Sequence, residues 1–210
     1  MNLSKGKFIC FCGLDGSGKT TQAELLKNYF EGKGLSVKVI HGFKPSVHAR
    51  CLREVCRRYD LSYYETFTPE VRFTAYILDM YDKYYSLIER ALSMGDIVIC
   101  DKYKIESKIY APLLDCNQEL VDKMLDILPN PDISIYMNLS VNEARKRLMA
   151  RVKLTGEKLE KKCDFDIMER AKIRFDLYCN ENDYFVCDAS LEKEQIHEQI
   201  VRQLEKIMFE

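Results

Sequence analysis

Residues 8–22 read FICFCGLDGSGKTTQ, and within them Gly13, Gly18, Lys19 and Thr20 satisfy the spacing G-x-x-x-x-G-K-[ST]. These residue types in this order suit a chain of phosphates. The glycines let backbone N–H groups along Gly13, Gly16, Ser17 and Gly18 turn inward around phosphate oxygens. The helix that starts at Thr20 and Thr21 adds about half a positive charge at its N-terminus. Lys19 would reach the β- and γ-phosphates, and the Thr20 hydroxyl would meet a Mg2+ ion bridging the same oxygens. The spacing therefore predicts a nucleotide site holding ATP and Mg2+. The plainer alternative is a glycine-rich turn with a solvated lysine.

Such a loop does not by itself separate a switch GTPase, a motor ATPase and a small-molecule kinase. A second constellation helps: VICDKY, residues 98–103, delivers Asp101 at the end of an apolar strand. A carboxylate there lies at the crevice where open α/β sheets bind ligands, and it would serve Mg2+, through water, or the acceptor of a transferred group. Its alternative is a cap or turn residue. Arg147, Arg151, Lys153 and Lys158 form a basic run. Phosphoryl transfer needs cations around the moving group and a cover that excludes water, so segment 151–162 is expected to be a mobile lid that orders on nucleotide binding. A solvated helix face would look the same.

The elements that must position these groups are legible as alternating patterns. KFICFCG, VKVIHG, DIVICDKY, DISIYMNL and YFVCDA are short, nearly continuous apolar runs. Helical patterns fall near 19–32, 46–59, 69–94, 117–128, 141–152, 164–180 and 191–208. Buried strands separated by helices predict a three-layer α/β/α fold around a parallel sheet of about five strands. The chain of 210 residues, 47% apolar and 31% charged, suits one domain spanning 1–210. A formal net charge of −1 gives no basic field for nucleic acid. No apolar run approaches the roughly 20 residues that span a bilayer. The start of the chain does not have the form of a signal peptide, because its apolar stretch runs directly into the glycines. The nine cysteines, scattered without CxxC pairs or zinc spacing, are expected to be reduced and buried, so a cytoplasmic enzyme is the expectation.

Taken together, the motifs resemble those of the thymidylate kinases, nucleoside monophosphate kinases of the phosphate-loop class. GLDGSGKTTQ is similar to the family's loop, CDKY to its Asp-Arg-Tyr motif, and FTAYILDMYDKYYSLIERALSMGD to its long helix. SKIYA, EARKRLMARVKL and VCDAS follow at the family's spacing. The resemblance implies that Asp15 contacts the sugar 3′-hydroxyl and phosphate region of the acceptor and that Tyr76 stacks on thymine. It implies that Ser107 faces the base and that Tyr110 sits beneath the sugar, excluding a 2′-hydroxyl. Asp101 and Lys102 stand at the reacting phosphates, Arg147 and Arg151 close on the donor, and Ala189 lies on the adenine side. It also implies a homodimer through helices beside the sheet.

The departures cluster on the acceptor side. Lys102 stands where the family has Arg, exchanging a bidentate fork for a point charge. Met80 stands where the long helix carries an Arg, GFKPSV replaces an Arg-Glu-Pro-Gly-Gly stretch, and Ala111 replaces a Gln. Lys44, Lys83, Arg72 and Lys102 are the cations available as replacements. Three functions stay open at this point: transfer from ATP to dTMP, transfer to another nucleotide or small metabolite, and nucleotide binding without turnover.

Overall fold

A computed structural model describes residues 6–156, 159 and 163–209. All five expected strands are present: β1 (Lys7–Cys12), β2 (Val37–His41), β3 (Ile97–Asp101), β4 (Ile133–Asn138) and β5 (Phe185–Asp188). They form one parallel sheet in the order β2-β3-β1-β4-β5. Strand β1 lies at its centre, with Ile9 and Phe11 buried on one face and Cys10 and Cys12 buried on the other. This accounts for its unbroken apolar pattern, since helices cover the sheet on both sides. The register sets Phe11 opposite Asp101, and Asp101 opposite His41. The loops after β1, β2 and β3 therefore share one edge of the sheet, where the chain order reverses direction.

The helices are α1 (Lys19–Gly32), α2 (His48–Tyr59), α3 (Tyr63–Thr66), α4 (Pro69–Lys83), α5 (Glu89–Ser93), α6 (Lys104–Tyr110), α7 (Gln118–Leu125), α8 (Val141–Thr155), α9 (Phe165–Glu181) and α10 (Lys193–Phe209). The long pattern at 69–94 is α4 and α5 joined by a π-helical turn, Tyr84–Ile88. Its start is marked by Pro69 in the first turn and by Thr68, whose hydroxyl accepts from the Val71 amide. Helices α3 and α6 have no counterpart in the sequence patterns. Four and seven residues are too few to display a 3.6-residue period.

Helix α8 continues to Thr155 and ends on Gly156 in the left-handed region (φ 68°). Residues 151–155 of the expected lid are thus the end of a helix, while 157, 158 and 160–162, Lys158 among them, lie outside the described residues. All nine cysteines are free thiols, and all but Cys51 are buried. Among the described residues no helix is long and apolar enough to cross a membrane.

Candidate active site

The turn between β1 and α1 is drawn tight by its neighbours. A side chain on Gly13 (φ 131°) would put Cβ 2.7 Å from the Met137 carbonyl, and one on Gly16 (φ 91°) would put it 2.4 Å from the Ala144 carbonyl. Strand β4 and helix α8 therefore press directly on the loop, and only glycine fits. Lys19 folds inward, almost fully buried, with Nζ donating to the carbonyls of Gly13 (2.9 Å) and Leu14 (2.8 Å). Burial lowers its pKa, and Lys102 lowers it further against the opposing pull of Asp15, Asp101 and Glu106.

One residue along, the Thr20 hydroxyl donates to Asp101 Oδ2 at 2.5 Å. His41 Nδ1 stands 3.4 Å from the same oxygen. Asp101 Oδ1 is buried and has no hydrogen-bond partner among the described residues. A hydroxyl and a carboxylate with an unused oxygen form a hard-oxygen donor set that fits Mg2+ with water completing the shell.

Two cavities open from this point. The first follows the phosphate loop and is walled by Gly16–Gln22, by Arg147, Leu148 and Arg151 of α8, and by Ser190–Lys193 after β5. Arg147 and Arg151, one helical turn apart, face it together. Ala189 does not line it. It is fully buried and its amide donates to the Asn138 carbonyl at 2.9 Å, so the four residues after it form the wall.

The second cavity is aromatic, lined by Phe43, Tyr63, Tyr64, Tyr76 and Tyr110 with Gly13, Arg53, Arg72 and Glu106. Tyr76 stacks on Phe43 with centroids 5.4 Å apart and planes inclined by 15°, and its hydroxyl accepts from Arg53 Nη2 at 2.7 Å. Arg72 donates to the Tyr64 carbonyl at 3.0 Å and to that of Phe67, with its guanidinium over the Tyr64 ring. Tyr110 packs edge-on against Phe175 of α9. Asp15 and Lys102 line both cavities, joined by an ion pair of 2.5 Å. Lys102 has a left-handed backbone, φ 69°, and a side chain at Gly42 would approach its carbonyl to 2.0 Å.

Other expected residues stand elsewhere. Ser107 is fully buried on α6 and lines neither cavity. Lys44 also lines neither. Lys83 is committed to backbone, donating to the carbonyls of His41 (3.0 Å), Gly42 (2.9 Å) and Lys44. Met80 lies in the hydrophobic core with 1% exposure rather than at a cavity wall. Of the four replacement cations, Arg72 and Lys102 reach the aromatic cavity.

Sequence reasoning missed Phe43, Arg53, Tyr63, Tyr64 and Glu106. None carried a usable signal: Glu106 stands three residues after Tyr103, which is not one of the usual cap residues, at the start of a helix too short to show in the sequence. It caps α6, its Oε2 accepting from the Tyr103 amide at 3.0 Å. Burial pushes its carboxyl up to about 7, against the pull of Lys19 and Lys102.

Proteins named thymidylate kinase are 31% identical to the chain in Fervidobacterium nodosum, over 93% of this chain and 96% of that protein. The one in Desulfotalea psychrophila is 30% identical over 80% and 78%, and that in Plasmodium falciparum 29% identical over 98% and 93%. The sequence model for thymidylate kinase matches residues 11–200. From the phosphate loop to the last helix, the chain belongs to the thymidylate kinase family.

Proposed function

We propose that the chain transfers the γ-phosphoryl group of ATP, with Mg2+, to a nucleoside monophosphate, and that the acceptor is dTMP. The observation that carries this reading is the meeting of the two cavities at Asp15 and Lys102. A donor along the phosphate loop and an acceptor in the aromatic cavity would present their phosphates to one wall. Phosphoryl transfer depends on such positioning and on charge stabilisation more than on covalent chemistry.

In this reading Lys19, Lys102, Arg147 and Arg151 surround the transferred group, and Gly13, Gly16, Ser17, Gly18 and Thr21 cradle the donor phosphates. Thr20 and Asp101 hold Mg2+, which when bound neutralises charge on the phosphate oxygens. Tyr76 offers a ring face to the base and Tyr110 bounds the sugar. The end of α8 and the residues beyond it act as the lid. A homodimer belongs to the same proposal, and no nucleic acid does.

A second reading, another nucleotide as acceptor, is favoured by the burial of Met80, which leaves the cavity without a cation from that position. ADP release measured across a panel of nucleoside monophosphates tests both. Turnover confined to dTMP supports the first, and turnover with another nucleotide but not dTMP selects the second. Lys19→Ala should lower kcat at least about 100-fold whichever acceptor is used.

A further inference from the structure

Gln22 stands in the first turn of α1, two residues past Thr20, and is 1% exposed. It is not one of the residues that cradle phosphate. Its side chain reaches another wall of the donor cavity, where Nε2 donates to the Lys193 carbonyl at 2.8 Å. A carbonyl can only accept, so this bond fixes which end of the amide is nitrogen. Oε1 is buried with no hydrogen-bond partner among the described residues, which leaves the bond to Lys193 as the side chain's one polar tie there. The stretch from Ser190 to Lys193 lines the cavity beyond the phosphate loop. Its near end is fixed to the sheet. The Ala189 amide donates to the Asn138 carbonyl at 2.9 Å, and Asp188 Oδ1 accepts from the Ser190 amide (2.9 Å) and hydroxyl (2.6 Å). Its far end, where α10 begins, is fixed to α1 by Gln22. A triphosphate on the N–H groups of the loop fills the α1 end of this cavity, so the nucleoside beyond it has this stretch, with Leu148 and Ile196, to lie against. Gln22 thus sits on the helix that presents the phosphates and holds the wall that bounds the rest of the donor.

We propose that Gln22 is a positioning residue of the donor site: by tying Lys193 to α1, it sets the wall from Ser190 to Lys193 at the distance from the phosphate loop that a nucleoside triphosphate spans. The proposal rests on the reading of this cavity as the ATP site. Gln22 acts through the wall and touches no reacting atom, so its loss should weaken binding of the nucleoside part of the donor and spare that of the phosphates. A glutamine that only packs α1 against α10 would, when replaced, lower the melting temperature and affect both parts alike.

The test is calorimetric binding of ATP and of inorganic tripolyphosphate, each with Mg2+, to the wild-type chain and to Gln22→Met, which has nearly the same length and cannot donate. The wild-type chain should bind ATP more tightly than tripolyphosphate. In Gln22→Met the affinity for ATP should fall about 3- to 10-fold, the range of one neutral hydrogen bond, with that for tripolyphosphate held within about twofold and the melting temperature little changed. The KM for ATP should rise by a like factor while the KM for the acceptor stays. Gln22→Asn, which keeps the amide but is one methylene short of Lys193, should repeat the pattern. Equal losses for ATP and tripolyphosphate overturn the proposal, as does unchanged binding of ATP. Failure of both variants to fold overturns it too, since Gln22 would then be structural. A wild-type chain that binds ATP no more tightly than tripolyphosphate overturns it without any variant. Turnover separates this from the broader reading. If ATP binds with the expected pattern but no nucleoside monophosphate is phosphorylated, the kinase assignment fails and the role of Gln22 stands. If phosphoryl transfer from ATP occurs without that pattern, the reverse holds. If ATP does not bind, both are rejected.

Discussion

Lys102 Nζ lies 2.5 Å from Asp15 Oδ1, and the two side chains form the wall common to both cavities. The pair balances charge at the place where phosphates would meet. Removing one member leaves a half-buried carboxylate beside incoming anions. Lys102→Met should therefore lower kcat at least about tenfold, whereas Lys102→Arg, which keeps the charge and the reach to Asp15, should retain most of the rate. Initial rates at saturating ATP and acceptor decide this. Equal losses in the two variants would show that the ammonium's shape, not its charge, is what counts.

Asp101 and Thr20 yield a prediction about the metal. Their 2.5 Å contact and the unpartnered Oδ1 make a site for an oxygen-seeking cation. Asp101→Asn should raise the Mg2+ concentration for half-maximal rate and lower kcat far more than it weakens ATP binding. Titration of the rate with Mg2+, alongside ATP binding, checks it. If the variant instead unfolds in a thermal melt, Asp101 is a structural residue.

Glu106 links stability to pH. Burial raises its carboxyl from the ordinary 4.5 to about 7, with Lys19 and Lys102 pulling against the shift. The buried thiols of Cys10 and Cys12 face it from β1 and are themselves pushed up, so they stay neutral over this range. An acid with a raised folded pKa stabilises the fold fully below its unfolded pKa and loses that contribution as pH climbs through the folded value. Between pH 5 and pH 8 the wild-type chain should thus lose stability relative to Glu106→Gln, by on the order of 3 kcal/mol. Urea unfolding of both proteins at several pH values measures the difference.

Met80 gives a prediction about what cannot be restored. An arginine there would enter the core beside Ile77 and Phe73 rather than the cavity. Met80→Arg should cost at least about 3 kcal/mol of stability through an unpaired buried charge, without tightening dTMP binding. A lowered KM for dTMP with an unchanged melting temperature would show that the long helix can turn this position outward.

The sheet and the phosphate loop were legible because their signals are local. Ile97–Asp101 is an apolar run bounded by turn residues, and the residues from Gly13 to Thr20 are contiguous, so nothing distant had to be known. The aromatic cavity is different. Arg53 comes from α2, Tyr63 and Tyr64 from a four-residue helix, Tyr76 from α4, and Glu106 and Tyr110 from α6. Their convergence depends on how the helices cross, which no periodicity encodes. Met80 stands where the resemblance expects an arginine, but whether that position faces core or cavity is set by packing, and here it faces the core. Lys83 likewise has the type expected of an anion binder and is consumed by three carbonyls.

Helix α4 holds the stretch between β2 and α2 from two directions. Lys83 grips the carbonyls of His41, Gly42 and Lys44, and the carboxylate of Asp79 accepts from the amides of Ser46, Val47, His48 and Ala49. Burial alone would raise the Asp79 pKa, yet those amides hold it below the usual range, so the grip persists at any pH near neutrality. Phe43 sits inside the gripped stretch. Its ring, and the Tyr76 ring it stacks on, are fixed by contacts formed when the chain folds. A ligand entering here meets a surface already cast, and selection on this side becomes a matter of fit to a rigid mould. The ordering entropy that a loose loop would lose at each encounter has been spent once, in folding.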